Sequence, residues 1–357
     1  MESSKPMEDI LPKKPEEKKP ERDAFSGTFD SRHILDFKRF LKVLATSVNL
    51  KEIHAVATVA KSLGLFRKSF SLQDTADLAS LLPLDSPPPQ TIPAEIERKF
   101  RITMHRLEEL SKMPEIQATL HLLHVMKLID AHNPKEALTR TSLLLEKIKD
   151  INRRTLDPIN SRVYYFYALA CELTGQLQTR RGEFFAAYRV ACLRLDQLTQ
   201  AIVLNVLLRS YISANEYEPA RNLVAKTTFP EAVPNSQLAR HLYYNGRIKA
   251  VQLEYSEAES RLSQALRKAP QASAKGFRLQ VIKLRTIVEL LMGEIPERTV
   301  FSQPDMRKEL FPYFLIVQSA RAGDLKAFGE VLDKYAEVFI ADKNYTLIQR
   351  YRTGNTD

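Results

Sequence analysis

With 357 residues but only 10 glycines, the chain is long enough for two or three domains or one elongated repeat array, yet poor in the residue that tight β-turns, phosphate loops and dinucleotide fingerprints consume. Its two cysteines, Cys171 and Cys192, form neither a disulfide framework nor a zinc knuckle, which favours a reducing compartment. The net charge of +10, from 53 basic and 43 acidic residues, suits acidic protein segments or phosphate backbones as partners, and without an apolar run of membrane length or a signal-peptide core the chain is expected to be soluble and intracellular.

In chain order, residues 1–30 open with Pro6, Pro12, Pro15 and Pro20 among charges of both signs. Such a stretch cannot bury enough apolar surface to offset its ordering entropy, so a disordered tail is expected. "PKKPEEKKP" within it has the basic runs of a nuclear-import signal, but its interleaved glutamates favour a solvated tail. Residues 31–82 form a first helical block, with Ile34, Phe37, Leu41 and Leu44 at helical spacing. "PLDSPPPQTIP", residues 83–93, forbids helix and predicts an extended linker, the clearest internal boundary.

Residues 94–343 read as amphipathic helices with short punctuation. Asn133 and Pro134 supply the favoured cap and first-turn residues of one helix. Gly175 and Gly293 close two others, the second with Pro296 beyond. Residues 344–357 are set apart as the start of a further region.

"YYNGRIKAVQLEYSEAESRLSQALRKAP", residues 243–270, contains an Asn-Gly pair without the alternating flanks of a β-hairpin. With Gly246 at the glycine of a tetratricopeptide pattern, Tyr255, Ala258, Leu262, Ala265 and Pro270 take the aromatic, small, large, small and proline positions of the second helix. Two antiparallel helices approach closely only where small side chains face each other, which makes Gly246 a packing position inside a helix. Partial copies follow the same offsets: Tyr211, Tyr217 and Ala220; Ala137 and Thr141; Ala327 and Val331. The fold class expected is all-α, a right-handed tetratricopeptide-like helical-repeat solenoid.

Enzyme and cofactor templates come out empty: there is no P-loop, no G-x-G-x-x-G, no G-x-S-x-G and no H-E-x-x-H. His121 and His124 share a helical face, but no acidic residue lies between them and the helix is Leu-rich, so they read as core or boundary histidines before they read as ligands. Cys171 and Cys192 read as packing residues. The aromatics of "VYYFYALA" read mainly as core, with an interface as the alternative. The one strong charge feature is the acid-free stretch between Glu259 and Glu289, which carries Arg261, Arg267, Lys268, Lys275, Arg278, Lys283 and Arg285. It is a solvated helix face or a basic interaction surface. For nucleic acid, it lacks the interleaved aromatics of a base-stacking platform.

"NRRTLDPINSRVYYFYALACELTG", "LYYNGRIKAVQLEYSEAESRLSQALRKAP", "VELLMGEIPER" and "LFPYFLIVQSARAGDLKAFGEVLDKYAEVFIADKNYTLIQR" together resemble the third non-ATPase subunits of the proteasome regulatory particle, a PCI-domain family of its lid. The likeness is dense from Glu115 to Arg350. It implies a non-catalytic scaffold without cofactor, metal, small-molecule substrate or membrane, working in ubiquitin-dependent degradation in cytoplasm and nucleus. Its implied partners are other lid subunits, PCI subunits among them, and a small acidic lid protein suited to the basic stretch. The resemblance also implies a helical arm leading into a winged helix near "NYTLIQRYR". The chain stops at "TGNTD", so a largely missing winged-helix module, and with it weak incorporation into the lid as an assembly-defective truncated form, is the expectation. Other PCI scaffolds, those of the COP9 signalosome and of translation initiation factor three, and RNA-binding PCI proteins are the alternatives.

Overall fold

The computed structural model describes residues 31–84, 96–97, 100, 104–270, 274–303 and 305–354. The expected tail at 1–30 and all but Pro83 and Leu84 of the expected linker lie outside the described residues. The chain is all-α and tetratricopeptide-like, and no strand occurs among the described residues. Helices α1 (Ser31–Asn49), α2 (Ile53–Ser69) and α3 (Leu72–Leu81) are followed by α4 (Met104–Ser111), α5 (Pro114–Asp130), α6 (Pro134–Lys149), α7 (Asp157–Leu173), α8 (Arg181–Leu193), α9 (Gln197–Ser213) and α10 (Tyr217–Lys226). Then come α11 (Asn235–Val251), α12 (Tyr255–Lys268), α13 (Lys275–Leu291), α14 (Arg307–Ala322), α15 (Leu325–Lys334), α16 (Ala336–Ala341) and α17 (Tyr345–Gly354).

One turn recurs between these helices. Lys51, His132, Leu195, Asn215, Leu253 and Lys343 share the left-handed backbone with Gly175, Gly293 and Gly323. After each, the next backbone N–H reaches the carbonyl five residues back, as from Asn133 to Leu128 at 3.0 Å and from Glu254 to Lys249 at 3.0 Å. This is the Schellman closure, which satisfies carbonyls that a helix end leaves open. The residue making that bond is Glu52, Asn133, Gln176, Asp196, Glu216, Glu254, Glu294, Asp324 or Asn344. Glu52, Asn133, Asp196, Glu216, Glu254 and Asp324 are at the same time the N-caps of the next helix, at the positive end of its dipole. Asp196 accepts from the Thr199 N–H at 3.2 Å, and Asp324 from the Ala327 N–H at 3.0 Å. Asn133 occupies its predicted cap position with Pro134 behind it, but its side chain makes no cap bond.

The α11–α12 hairpin is the most extensive helix pair. Gly246 lies inside α11, where an added Cβ would sit 2.9 Å from Leu262 Cγ and 3.3 Å from the Ala258 carbonyl oxygen. Ala258, Leu262 and Ala265 are completely buried across from it. Tyr255 is half-buried, and Pro270 is exposed. Pro270 therefore follows the helix end and fills no interface. Ala220, Ala137 and Thr141 are likewise buried. The unit at α15 departs from expectation by one residue: Phe328 and Leu332 are buried, while Ala327 and Val331 are half-buried. Gly329 in the same helix is also buried, with the Arg352 guanidinium 3.8 Å from where a Cβ would lie.

The first helical block is not packed apart from the repeats. Phe37, Phe66 and Phe70 form edge-on pairs 5.0–5.3 Å apart at the α1–α2 contact, and Phe70 meets Phe100 at 6.2 Å. The same core runs on through α5, α7 and α9 to Ile248 of α11. A second core begins with Leu242 of that helix and continues to Leu347 and Ile348. Packing is therefore continuous across the boundary expected at 343/344.

Candidate interaction surfaces

His121 and His124 are both buried, yet they face different partners. His121 Nε2 lies 2.8 Å from the Leu82 carbonyl oxygen, and His124 Nδ1 lies 3.2 Å from Thr75 Oγ1. His124 thereby ties the first turn of α3 to α5, and His121 ties its C-terminal end. Cys171 is fully buried, and burial pushes its thiol up to about 11; Cys192 is half-buried. Tyr167 is buried and Tyr165 half-buried, with the Arg240 guanidinium 5.5 Å above the Tyr165 ring. Among the described residues, no group of three or more His, Cys, Asp or Glu could hold a metal ion, and no helix is long and apolar enough to cross a membrane.

The seven basic residues between Glu259 and Glu289 divide into two sets. Arg261, Arg267 and Lys268 on α12 and Lys275 on α13 are exposed, and Arg278 is half-buried. Lys275 meets Asp305 at 2.6 Å, a solvated pair of little energetic weight. Arg261, Arg267, Lys268 and Arg278 make no ion pair among the described residues. Arg267 and Lys268 in the last turn of α12 and Lys275 and Arg278 in the first turn of α13 leave a positive edge at those helix ends, with Arg261 further back along α12. Arg285 is neutralised by Glu259 at 3.3 Å and Glu289 at 2.8 Å. Lys283 does not belong to the surface at all: it is 6% exposed and its Nζ sits 2.8 Å from Asp342 Oδ2.

That pair is the centre of a buried polar node that the residue pattern does not announce. Asp342 Oδ2 also accepts from the Tyr313 hydroxyl at 2.9 Å, and Oδ1 from Gln280 Nε2 at 3.1 Å. Burial, reinforced by the Asp342 charge, holds the Tyr313 hydroxyl protonated far above its ordinary range. Arg247, 4% exposed, donates from Nη2 to the carbonyl oxygens of Asp342 at 3.0 Å and Lys343 at 2.7 Å. Asn344 Nδ2 closes the ring on the Tyr313 oxygen at 3.1 Å. Lys343 Nζ donates to the Ser213 carbonyl oxygen at 2.8 Å, and Arg350 Nη1 to that of Val251 at 3.0 Å. One turn between α16 and α17 is thereby bound to α9, α11, α13 and α14. The buried Lys283 ammonium is tolerated because Asp342 pairs with it, whereas the Arg247 guanidinium is held by neutral oxygens of Tyr243, Asp342, Lys343 and Asn344.

The node ties the ends of several helices to one another. Comparison with known proteins agrees with a repeat protein. The family described as "PSMD3-like, N-terminal TPR repeats" matches residues 29–317. The 26S proteasome non-ATPase regulatory subunit 3 of Dictyostelium discoideum is 37% identical over 329 residues, covering 92% of this chain and 64% of that protein. The probable 26S proteasome non-ATPase regulatory subunit 3 of Daucus carota is 42% identical over 277 residues, covering 78% of this chain and 55% of the relative. That of Drosophila melanogaster is 46% identical over 238 residues, 67% of this chain and 48% of the relative. The chain thus spans between about half and two-thirds of the length of the curated relatives it matches. On the repeats themselves and on this likeness, the chain belongs to the PSMD3-like family, that of proteasome non-ATPase regulatory subunit 3.

Proposed function

We propose that the chain is a non-catalytic scaffold subunit of the lid of the proteasome regulatory particle, serving ubiquitin-dependent protein degradation through contacts between proteins in cytoplasm and nucleus. The observation that carries this reading is the collinear likeness through the helical repeats, 37% identity over 92% of the chain. The fold suits the role: stacked hairpins give long surfaces for neighbouring subunits, and the node at Asp342 fixes the direction in which α17 leaves the array. In this reading the repeats form the arm, and other PCI subunits of the lid are the principal partners. The positive edge of Arg261, Arg267, Lys268, Lys275 and Arg278 takes a small acidic lid protein; Lys283 has no part in it.

The test is affinity purification of the tagged chain from its own cells at moderate salt with nuclease, followed by mass spectrometry. Regulatory-particle subunits are expected in the recovered fraction. Recovery of the chain alone, or with chaperones, would sink the scaffold reading for this chain. For the edge, R267E/K268E should lower recovery of an acidic subunit and leave the others unchanged.

A further inference from the structure

A cavity of about 470 Å³ lies between α2, α7, α9 and α11. Lys61 reaches it from α2, Arg162, Tyr165 and Phe166 from α7, Ile202 from α9 and Arg240 from α11. On α7 these residues stand at the four-residue spacing that puts side chains on one helix face, which gives part of the aromatic run "VYYFYALA" a cavity to line. The lining carries three cations and no carboxylate.

Lys61 is exposed, Arg162 and Arg240 are half-buried, and none of the three makes an ion pair among the described residues. Other half-buried arginines of this fold are paired: Arg67 with Asp130 at 2.5 Å, Arg181 with Glu216 at 2.6 Å and Arg194 with Asp157 at 2.9 Å. Arg162 instead donates from Nη1 to the neutral Ala60 carbonyl oxygen at 2.5 Å. Burial pushes its guanidinium down from the ordinary range, and no carboxylate opposes that push. A cation withdrawn from water without a counter-charge is costly. Helix α11 adds to the imbalance, since it opens beside the cavity with no side-chain cap and no acidic residue in its first turn, leaving the positive end of its dipole bare.

We propose that this cavity binds a small soluble phosphate monoester with an aromatic body, of the nucleoside monophosphate class, its phosphate held by Lys61, Arg162 and Arg240 and its ring set against Phe166 and Ile202. Guanidinium forks match phosphate oxygens in shape and charge, and a phosphate dianion calls for more than one cation. Phe166 and Ile202, 8% and 5% exposed, supply an apolar wall that a bare inorganic anion would leave unfilled. The volume falls within the roughly 300–1,000 Å³ of small-molecule sites. A nucleic-acid strand instead needs successive open rings along a groove, whereas the Tyr165 ring here has the Arg240 guanidinium 5.5 Å above it. The inference does not depend on the proteasome reading, since it rests on the cavity alone.

The probe is adenosine monophosphate, titrated calorimetrically into the full chain at about 0.1 M salt, where near charges are still felt. Adenosine and inorganic phosphate form separate arms. Saturable binding of the nucleotide is expected, about tenfold or more tighter than that of either part alone, because each part makes only one of the two contacts. K61Q/R240Q removes two charges that make no hydrogen bond among the described residues, so it should keep the thermal midpoint while weakening nucleotide binding about tenfold. R267Q/K268Q, at the far edge, should leave binding unchanged. The proposal is overturned by an absence of saturation up to millimolar nucleotide, or by nucleotide binding indifferent to K61Q/R240Q. Inorganic phosphate binding as tightly as the nucleotide overturns it as well, by making the occupant an adventitious ion only. So does displacement of the nucleotide by a short uridine RNA at lower concentration than by unlabelled nucleotide, which would make the cavity part of an RNA surface.

Discussion

Replacing Gly246 by Ala tests the hairpin contact through a change of sign. In an isolated helix the substitution gains about 1 kcal/mol from propensity. Here the new methyl would lie 2.9 Å from Leu262 Cγ and 3.0 Å from Cδ2, where carbon atoms prefer roughly 3.5–4.0 Å. Overpacking of that kind costs about 1–3 kcal/mol, so the net effect in the native background is a loss of about 1 kcal/mol. In a Leu262→Ala background both obstructing atoms are gone, and only the 3.3 Å approach to the Ala258 oxygen remains. There Gly246→Ala should gain about 1 kcal/mol. Leu262→Ala itself costs about 2–5 kcal/mol. Urea unfolding followed by far-ultraviolet circular dichroism on all four chains gives the coupling, expected at about 2 kcal/mol and favourable. Equal effects of Gly246→Ala in the two backgrounds, or a gain in the native one, would refute the close-approach argument.

Three further outcomes are expected. Asp342→Ala strands the Lys283 ammonium in the interior and should cost about 3–5 kcal/mol, with faster proteolysis of α16 and α17, whereas Asp305→Ala, which removes an exposed pair, should cost less than about 1 kcal/mol; equal losses would contradict the node. His241 stacks on Phe229 at 4.2 Å, and burial, helped by the Arg261 charge, pushes its imidazole down to about 4. Its folded form binds fewer protons than the unfolded one near 6.5, so its contribution is intact above about pH 6.5 and is lost as pH falls towards 4, by at most about 3 kcal/mol. Asp157, raised to about 6 chiefly by burial, acts in the opposite sense below pH 6; the comparison of native chain and His241→Phe in urea at pH 7.5 and 5.0 therefore isolates the histidine, and identical pH dependence would remove its assigned role. Leu253, with φ of 69° and 61% exposure, should become more stable by about 0.5–1 kcal/mol as Gly, while Gly293→Ala should lose a similar amount; a lower thermal midpoint for Leu253→Gly would count against strain at that turn.

The hairpin of α11 and α12 was legible in the sequence because everything that specifies it falls within residues 243–270: a glycine, the small residues opposite it and one large residue between them. The register at α15 was not, since Ala327 and Gly329 lie two apart in one helix and either can be set on the small position; burial of Phe328 and Leu332 decides it. The basic stretch shows a different limit. Glu259, Glu289, Asp305 and Asp342 all lie outside the acid-free window, and the fold returns them to Arg285, Lys275 and Lys283. The node was out of reach for the same reason, with Asp342 59 positions from Lys283 and its backbone 95 from Arg247. The turns were legible by a signal other than the one followed. Glycine marks three of nine, whereas Asp, Glu, Asn or Gln follows the left-handed residue in all nine.

Helix α11 contributes Ile248 to one core and Leu242 and Ala250 to the other. Its 17 residues make a rod of roughly 25 Å that neither half can release without the other feeling it. A torque applied at α17, carried by Arg247 and Arg350 to this rod, would turn it as a unit and reach the first core as a change of angle instead of dissipating in a loop. One helix is thus shared by both cores, and a shift in the packing of either is felt by the other.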